Sequence, residues 1–342
     1  MKNREYLKMK ISFVKIIFLL FVFNLTINSQ SKVTAVESVG ITVHEMSVAL
    51  PFYTNVLNFQ LVSNDTIQSG EYSALVNIND AAIQIAKLKL GEEQIELIDF
   101  ISPEGKAYPE DSKSNDLWFQ HIAIITNNMD SAYAWLKIND VNNISVEPQR
   151  LPDWNKNAGG IKAFYFKDPD GHPLEILEFP SDKGNPKWHK KSNKLFLGID
   201  HTAIAVSNTV ESLKYYRDIL GMEVGGESEN YGIEQERLNN VEGAHLRITG
   251  LHPDFGPGIE FLNYIQPKGG RVYTEEVKAN DLVHWQTKLF TKDIHSLYSK
   301  LINAGFKTYS KIISRIDNKS FGFGSGFLTQ DPDGHKLLIM GN

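Results

Sequence analysis

The chain contains no cysteine, which removes disulfides, thiolate ligands and lipid-modified cysteines from its chemistry. Basic residues are also in deficit, with a net charge of −6 and a pI near 6.0. That balance gives nucleic acid no basic face to bind. Beyond the first fifteen residues, Lys187, Lys190, Lys191 and Lys194 form the one basic cluster, which reads as a solvated linker. Long apolar runs are missing as well: Ile16 to Phe23 falls short of the roughly 20 residues that a membrane-spanning helix needs. Neither nucleic-acid binding nor stable membrane insertion is therefore expected. What remains, 42% hydrophobic and 22% charged over 342 residues, suits a globular protein of roughly two domains. Domains of this size can fold on their cores without disulfides.

The N-terminus has its own logic. Lys2, Arg4, Lys8, Lys10 and Lys15 precede the short apolar run, and small polar residues from Asn24 to Ser31 follow it. This order predicts a signal peptide over residues 1–30, and hence a secreted or periplasmic protein.

A pattern then occurs twice. Phe52-Tyr53 returns as Tyr215-Tyr216, and Asp168-Pro169-Asp170-Gly171-His172 returns as Asp331-Pro332-Asp333-Gly334-His335, both at an offset of 163. Ile95-Glu96-Leu97 matches Ile259-Glu260-Phe261 at 164, and Asp116-Leu117 matches Asp281-Leu282 at 165. A register held over such a span indicates tandem duplication. The expected domains cover residues 33–180 and 196–342, joined by a Lys-, Pro- and Gly-containing linker at 181–195.

Each copy divides again. Alternating apolar residues predict strands at Ser38 to Val43, Tyr72 to Ile78, Ala82 to Leu88 and Gln94 to Phe100, with a helix at Ser47 to Val56. The order restarts with a strand at His121 to Ile125, a helix at Asp130 to Ile138, and strands at Ile161 to Phe166 and Pro173 to Phe179. The second half repeats the scheme. The fold class is α+β: four βαβββ modules in two tandem pairs, each pair a curved mixed sheet around a cleft.

The helices "FYTNVLNF" and "YYRDILGM", with the two "DPDGH" turns, resemble the vicinal oxygen chelate superfamily of glyoxalases, extradiol dioxygenases and fosfomycin- and bleomycin-resistance proteins. The resemblance runs from Val36 to the C-terminus. It implies up to two divalent-metal ligands per module, one in the first strand and one in the last. The corresponding positions are Ser38, Glu96, His121 and Glu175 in the first half, and His201, Glu260, Gln286 and Leu338 in the second. A full set would be His or Gln, Glu, His, Glu. Taken half by half, Ser38 and Leu338 each break one set.

Strand alternation agrees that Glu96 and Glu260 point away from their apolar neighbours. The expected metal trios are Glu96, His121 and Glu175, and His201, Glu260 and Gln286. Glu178 competes with Glu175 from the opposite face of the same strand. His121, His201 and His284 are the candidate acid–base residues, and His172 and His335 are turn residues. Oxygen-rich sets of this kind suit Mn, Fe, Mg or Zn.

The resemblance implies chelation of a small-molecule or oligosaccharide substrate and proton removal beside a carbonyl. An exported location turns the expectation toward a dehydratase, a carbon–oxygen lyase of carbohydrate degradation acting on a sugar acid. A dioxygenase, a glyoxalase-like isomerase and a non-catalytic binding protein are the alternatives, and the chain is expected to be a monomer or homodimer.

Overall fold

Every module opens with a strand whose alternate residues are apolar and ends with a strand that lies parallel to it. In module one, β1 (Val33–Val43) leads through α1 (Met46–Pro51), continued by a π-helical turn at Phe52–Val56, to β2 (Gln60–Gln68), α2 (Gly70–Val76), β3 (Ala82–Leu90) and β4 (Glu93–Ser102). Module two has β5 (Gln120–Ile125), α3 (Met129–Ile138), two short strands β6 (Asn142–Asn143) and β7 (Gln149–Arg150), then β8 (Lys162–Lys167) and β9 (Pro173–Glu178). Module three runs β10 (Gly198–Ala205), α4 (Thr209–Leu213), β11 (Glu223–Tyr231), α5 (Ile233–Asn239), β12 (His245–His252) and β13 (Gly258–Gln266). Module four has β14 (Trp285–Thr291), α6 (Ile294–Asn303), β15 (Ser314–Arg315), β16 (Ser325–Gln330) and β17 (Lys336–Gly341). This computed structural model describes residues 31–268, 270–274, 277–310 and 312–342. The expected signal peptide lies outside the described residues.

One element expected as a strand is a helix. The stretch Tyr72 to Ile78 falls mostly within α2, where the Ser69 side chain accepts from the Tyr72 amide and Asn77 closes the helix in the left-handed region. Tyr72, Leu75 and Val76 are the buried residues, which is an i, i+3, i+4 spacing. The strand of that region is β2, whose residues are mostly exposed and polar, so alternation does not reveal it.

The α+β class, the four modules and the two mixed sheets stand as read, but the modules are shared between the sheets differently. The first sheet has the order β15-β16-β17-β14-β1-β4-β3-β2, joining modules one and four. The second runs β11-β12-β13-β10-β5-β9-β8-β6, joining modules two and three. Antiparallel pairs make both junctions, β1 with β14 and β10 with β5. The expectation that each half closes its own sheet is thus corrected.

Packing behind the sheets follows the halves instead. Ile41, Tyr53, Leu97, Ile122, Phe164 and Ile176 lie in one core drawn mainly from modules one and two. Tyr216, Phe261, Leu289, Leu297 and Ile339 belong to its counterpart in modules three and four. The repeated turns tie these cores together. Tyr53 donates to Asp168 at 3.0 Å, and Tyr216 donates to Asp331 at 3.2 Å. His172 and His335 each bond the Asp of their own turn through Nδ1, the structural role expected of them.

Candidate metal centre

The module pairing decides which polar residues meet. Four adjacent strands of the second sheet, β13, β10, β5 and β9, each carry one of the expected ligand positions: Glu260, His201, His121 and Glu175. Their neighbours Ile122, Ile176, Ile259 and Phe261 point into the cores behind the sheet. By pleat, the polar side chains stand on the opposite face. The register places Ala123 beside both Glu175 and His201, and Ala203 beside both His121 and Glu260. These small side chains leave room between the four.

His121 Nε2 lies 3.1 Å from a Glu175 oxygen, and His201 Nε2 lies 3.7 Å from Glu175 and 3.5 Å from Glu260. One donor atom from each of His121, Glu175 and His201 falls within 4.8 Å of the others. His121, Glu175 and His201 are buried, at 0%, 4% and 7% exposure, whereas the Glu260 side chain keeps 26%. Glu260 is therefore the carboxylate most open to the adjoining cavity of about 260 Å³, whose walls include Tyr165, Leu177, Ile248 and Gly226.

The electrostatics are those of carboxylates sharing too little positive charge. Burial raises Glu260 to about 7, with Glu175 and Asp200 adding to the rise and His201 opposing it. Burial alone would lower His201, but Glu260, Asp200 and Glu175 outweigh it and bring the imidazole to about 10. Burial lowers His121 despite its bond to Glu175. His201 Nε2 and His121 Nδ1 are buried without a hydrogen-bond partner among the described residues. Two nitrogens, two carboxylates and unpaired buried ring atoms together fit a divalent cation of the borderline class, such as Zn, Fe(II) or Mn.

Support behind His201 comes from residues that the sequence reading passed over. Its Nδ1 is 3.0 Å from Asp200, which also accepts from the Trp188 indole at 2.8 Å. Asp200 fixes the tautomer that leaves Nε2 free for a metal. Trp188 is buried and sits in the 181–195 stretch, so that stretch is anchored rather than merely solvated. A carboxylate directly before a candidate His was the available signal.

Other candidates lie elsewhere, and both expected trios are split. Glu96 is on the first sheet, paired with Lys288. Gln286 and His284 belong to the start of module four on that same sheet, buried at 1% and 2% exposure. Among the described residues neither His284 ring nitrogen has a hydrogen-bond partner, and burial followed by nearby Lys336 lowers its pKa to about 3. Remote from the second-sheet cleft, His284 cannot move a proton there. Glu178, the alternative to Glu175, instead accepts from the Met129 amide at the start of α3 and from Lys162. Across the two halves, His121, His201 and Glu175 make a two-His, one-carboxylate set that neither half's expected positions supply alone.

Two mixed sheets built from four modules, with a His, Glu, His, Glu cluster across one of them, define a paired-module metal-cleft protein. The Glyoxalase/Bleomycin resistance protein/Dioxygenase superfamily profile matches residues 35–176 and 198–339, and the chain belongs to that superfamily. A curated relative, metallothiol transferase FosB of Staphylococcus epidermidis, is 26% identical over 147 residues, covering 42% of this chain and 82% of that protein. A glyoxalase I variant from Zea mays matches with a TM-score of 0.60 at 15% identity, covering 91% of this chain and 92% of that one. A putative dioxygenase from Bacillus subtilis matches at 0.57 and 14%, covering 91% and 86%. At such identities the structural likeness shows the fold. Proteins of this superfamily use a divalent metal, and His121, Glu175 and His201 form a group that can hold one.

Proposed function

We propose that the protein is a metal-assisted proton-transfer enzyme working in the cleft of the second sheet. The observation that carries this reading is the convergence of His121, Glu175, His201 and Glu260 on four adjacent strands. His121, Glu175 and His201 would hold the ion, which when bound polarises a substrate carbonyl or carboxylate as a Lewis acid. Glu260, the more open carboxylate, is placed to take a proton from the carbon beside that group. The apolar wall from Leu177 to Ile248 limits water at the reacting carbon. Family membership and the FosB likeness support a small-molecule substrate.

The reaction favoured is elimination. As the C–H bond breaks toward Glu260, its electron pair forms a C=C bond and a β-oxygen leaves with its own pair, taking up a proton to depart as water or an alcohol. A sugar acid offers vicinal oxygens for chelation and an acidic proton beside its carboxylate. The signal-like residues 1–30 support an exported protein that would meet such substrates. The test is incubation of the metal-loaded protein with a panel of uronic acids and uronate-ended oligosaccharides. An unsaturated acid chromophore is expected with native protein and at least 100-fold slower with Glu260→Gln; no such product from any member sinks the lyase. Metal content distinguishes the clefts: Glu175→Ala should lose the metal and Glu96→Ala should keep it.

A dioxygenase is the second reading, favoured by the His121, His201 and Glu175 trio. Glu260 beside it weighs toward proton transfer, because this fourth side chain, a second carboxylate, occupies room that oxygen would need. Oxygen consumption with catechols, measured on Fe(II)-loaded protein, would reverse that preference.

A further inference from the structure

The first sheet repeats the metal cleft with different residues. By the duplication offsets, Ser38, Glu96, Gln286 and Leu338 stand where His201, Glu260, His121 and Glu175 stand in the second sheet. Lys288 pairs with Ser38 across β14 and β1, the place that Ala123 takes beside His201. The small residue that leaves room for an ion in one cleft is thus a lysine in the other. Lys288 is 2% exposed, its ammonium lies against Glu96, and the Phe323 ring is 5.8 Å away. A resident ammonium on the one remaining carboxylate excludes a divalent ion.

Another cation faces the same space. Lys87 on β3 is directly opposite Glu96 on β4 and half-buried, and its side chain makes no ion pair or hydrogen bond with the described residues. Ser38, Lys87, Glu96, Lys288, Phe321 and Phe323 line a cavity of about 350 Å³. Two ammoniums thus stand against one buried carboxylate, Glu96. The other negative groups of the lining, Glu37 and the terminal carboxylate of Asn342, belong to exposed residues at the rim. An anion placed between Lys87, Lys288 and the Ser38 hydroxyl would form charge-assisted bonds, while the phenylalanine rings would cover an apolar body.

We propose that this cleft is a metal-independent binding site for a small apolar monocarboxylate, with Lys288 in the place that the ion takes in its sister cleft. The lysine head would neutralise the ligand carboxylate, and the ring walls would select against strongly hydrated dianions.

The test is calorimetric titration of the whole, metal-stripped chain with benzoate, and separately with inorganic phosphate. Benzoate should bind at one site per chain, with the same affinity in His201→Ala, in which the sister cleft is disabled. Lys87→Gln should weaken it at least tenfold. The double variant Lys288→Met with Glu96→Leu, which replaces the ion pair by apolar groups and leaves no buried charge unpaired, should abolish it. Phosphate should not compete. The proposal is overturned if benzoate shows no saturable binding, if Lys87→Gln binds it unchanged, or if His201→Ala removes it. Two equivalents of metal per native chain would overturn it equally.

Discussion

At the scale of single residues, the metal-type cleft depends on the orientation of one imidazole. Asp200 holds His201 Nδ1 at 3.0 Å and is itself held by Trp188. Asp200→Asn presents an amide that can bond the ring in either tautomer, so Nε2 is no longer reliably free. Metal affinity should fall about 10–100-fold, measured by chelator competition, with the folded state retained; unchanged affinity would remove Asp200 from the site. Protonation adds a second prediction. His201 is raised to about 10 and must lose its proton to act as a metal donor, and Glu260, raised to about 7, must lose its own to act as the base. Raised pKa values mean protons still bound at neutrality, so metal uptake releases protons. Apparent affinity should then climb with pH up to about 10, where His201 has lost its proton. An affinity independent of pH would contradict this charge balance. All four cluster residues were legible in the sequence because the family resemblance implies a ligand at each position, with strand alternation agreeing for Glu260. Their grouping was not, since nothing in a strand's own residues states which module's strand lies beside it.

At the scale of elements, the segments that carry the chain from one sheet to the other explain why Asp116 and Asp281 repeat. Asp116, in the crossover between β4 and β5, accepts from the Arg271 amide and guanidinium and from the Lys113 amide. Asp281, in the crossover between β13 and β14, accepts from the Lys106 and Lys278 amides. Each crossover thus grips the other, and Leu117 and Leu282 donate their amides across the same contact. Asp116 is 2% exposed, so Asp116→Ala leaves several donors unsatisfied and should cost about 2–4 kcal/mol. A lowered denaturation midpoint with an unchanged slope is the expected record. Asp111→Ala, which touches the exposed side of the same guanidinium, should leave the midpoint where it was. Equal effects would mean the crossovers are held by something else. Elements with strong periodicity were readable to within a residue or two, as β5, α3, β8 and β9 illustrate. The helix α2 was missed because seven residues span too little chain for a 3.6-residue period to stand out from alternation. The strand β2 was missed because its exposed face carries Ser, Asn, Asp and Gln without an apolar rhythm.

At the scale of the whole molecule, cores and sheets divide the chain along different lines. Apolar packing behind the sheets joins module one to two and three to four, while hydrogen-bonded strands and smaller apolar clusters join one to four and two to three. Neither half holds a complete sheet. The first half supplies His121 and Glu175, and the second supplies His201 and Glu260, so the metal-type cleft exists only where both are present. This arrangement predicts the result of cutting the chain near Ser192, on the exposed side of the buried Trp188 anchor. Two halves expressed together should copurify as a one-to-one complex, because the β1–β14 and β5–β10 edges would otherwise face solvent unpaired. The complex should retain metal, and either half alone should retain none. A half that folds as a monomer and keeps its metal would show that its two ligands suffice, and the site would then have to be redrawn within one half. Duplication thus accounts for two unlike clefts in one chain: shared sheets gather an intact set of four ligand positions on one side and both broken positions, Ser38 and Leu338, on the other, where Lys288 lies beside each.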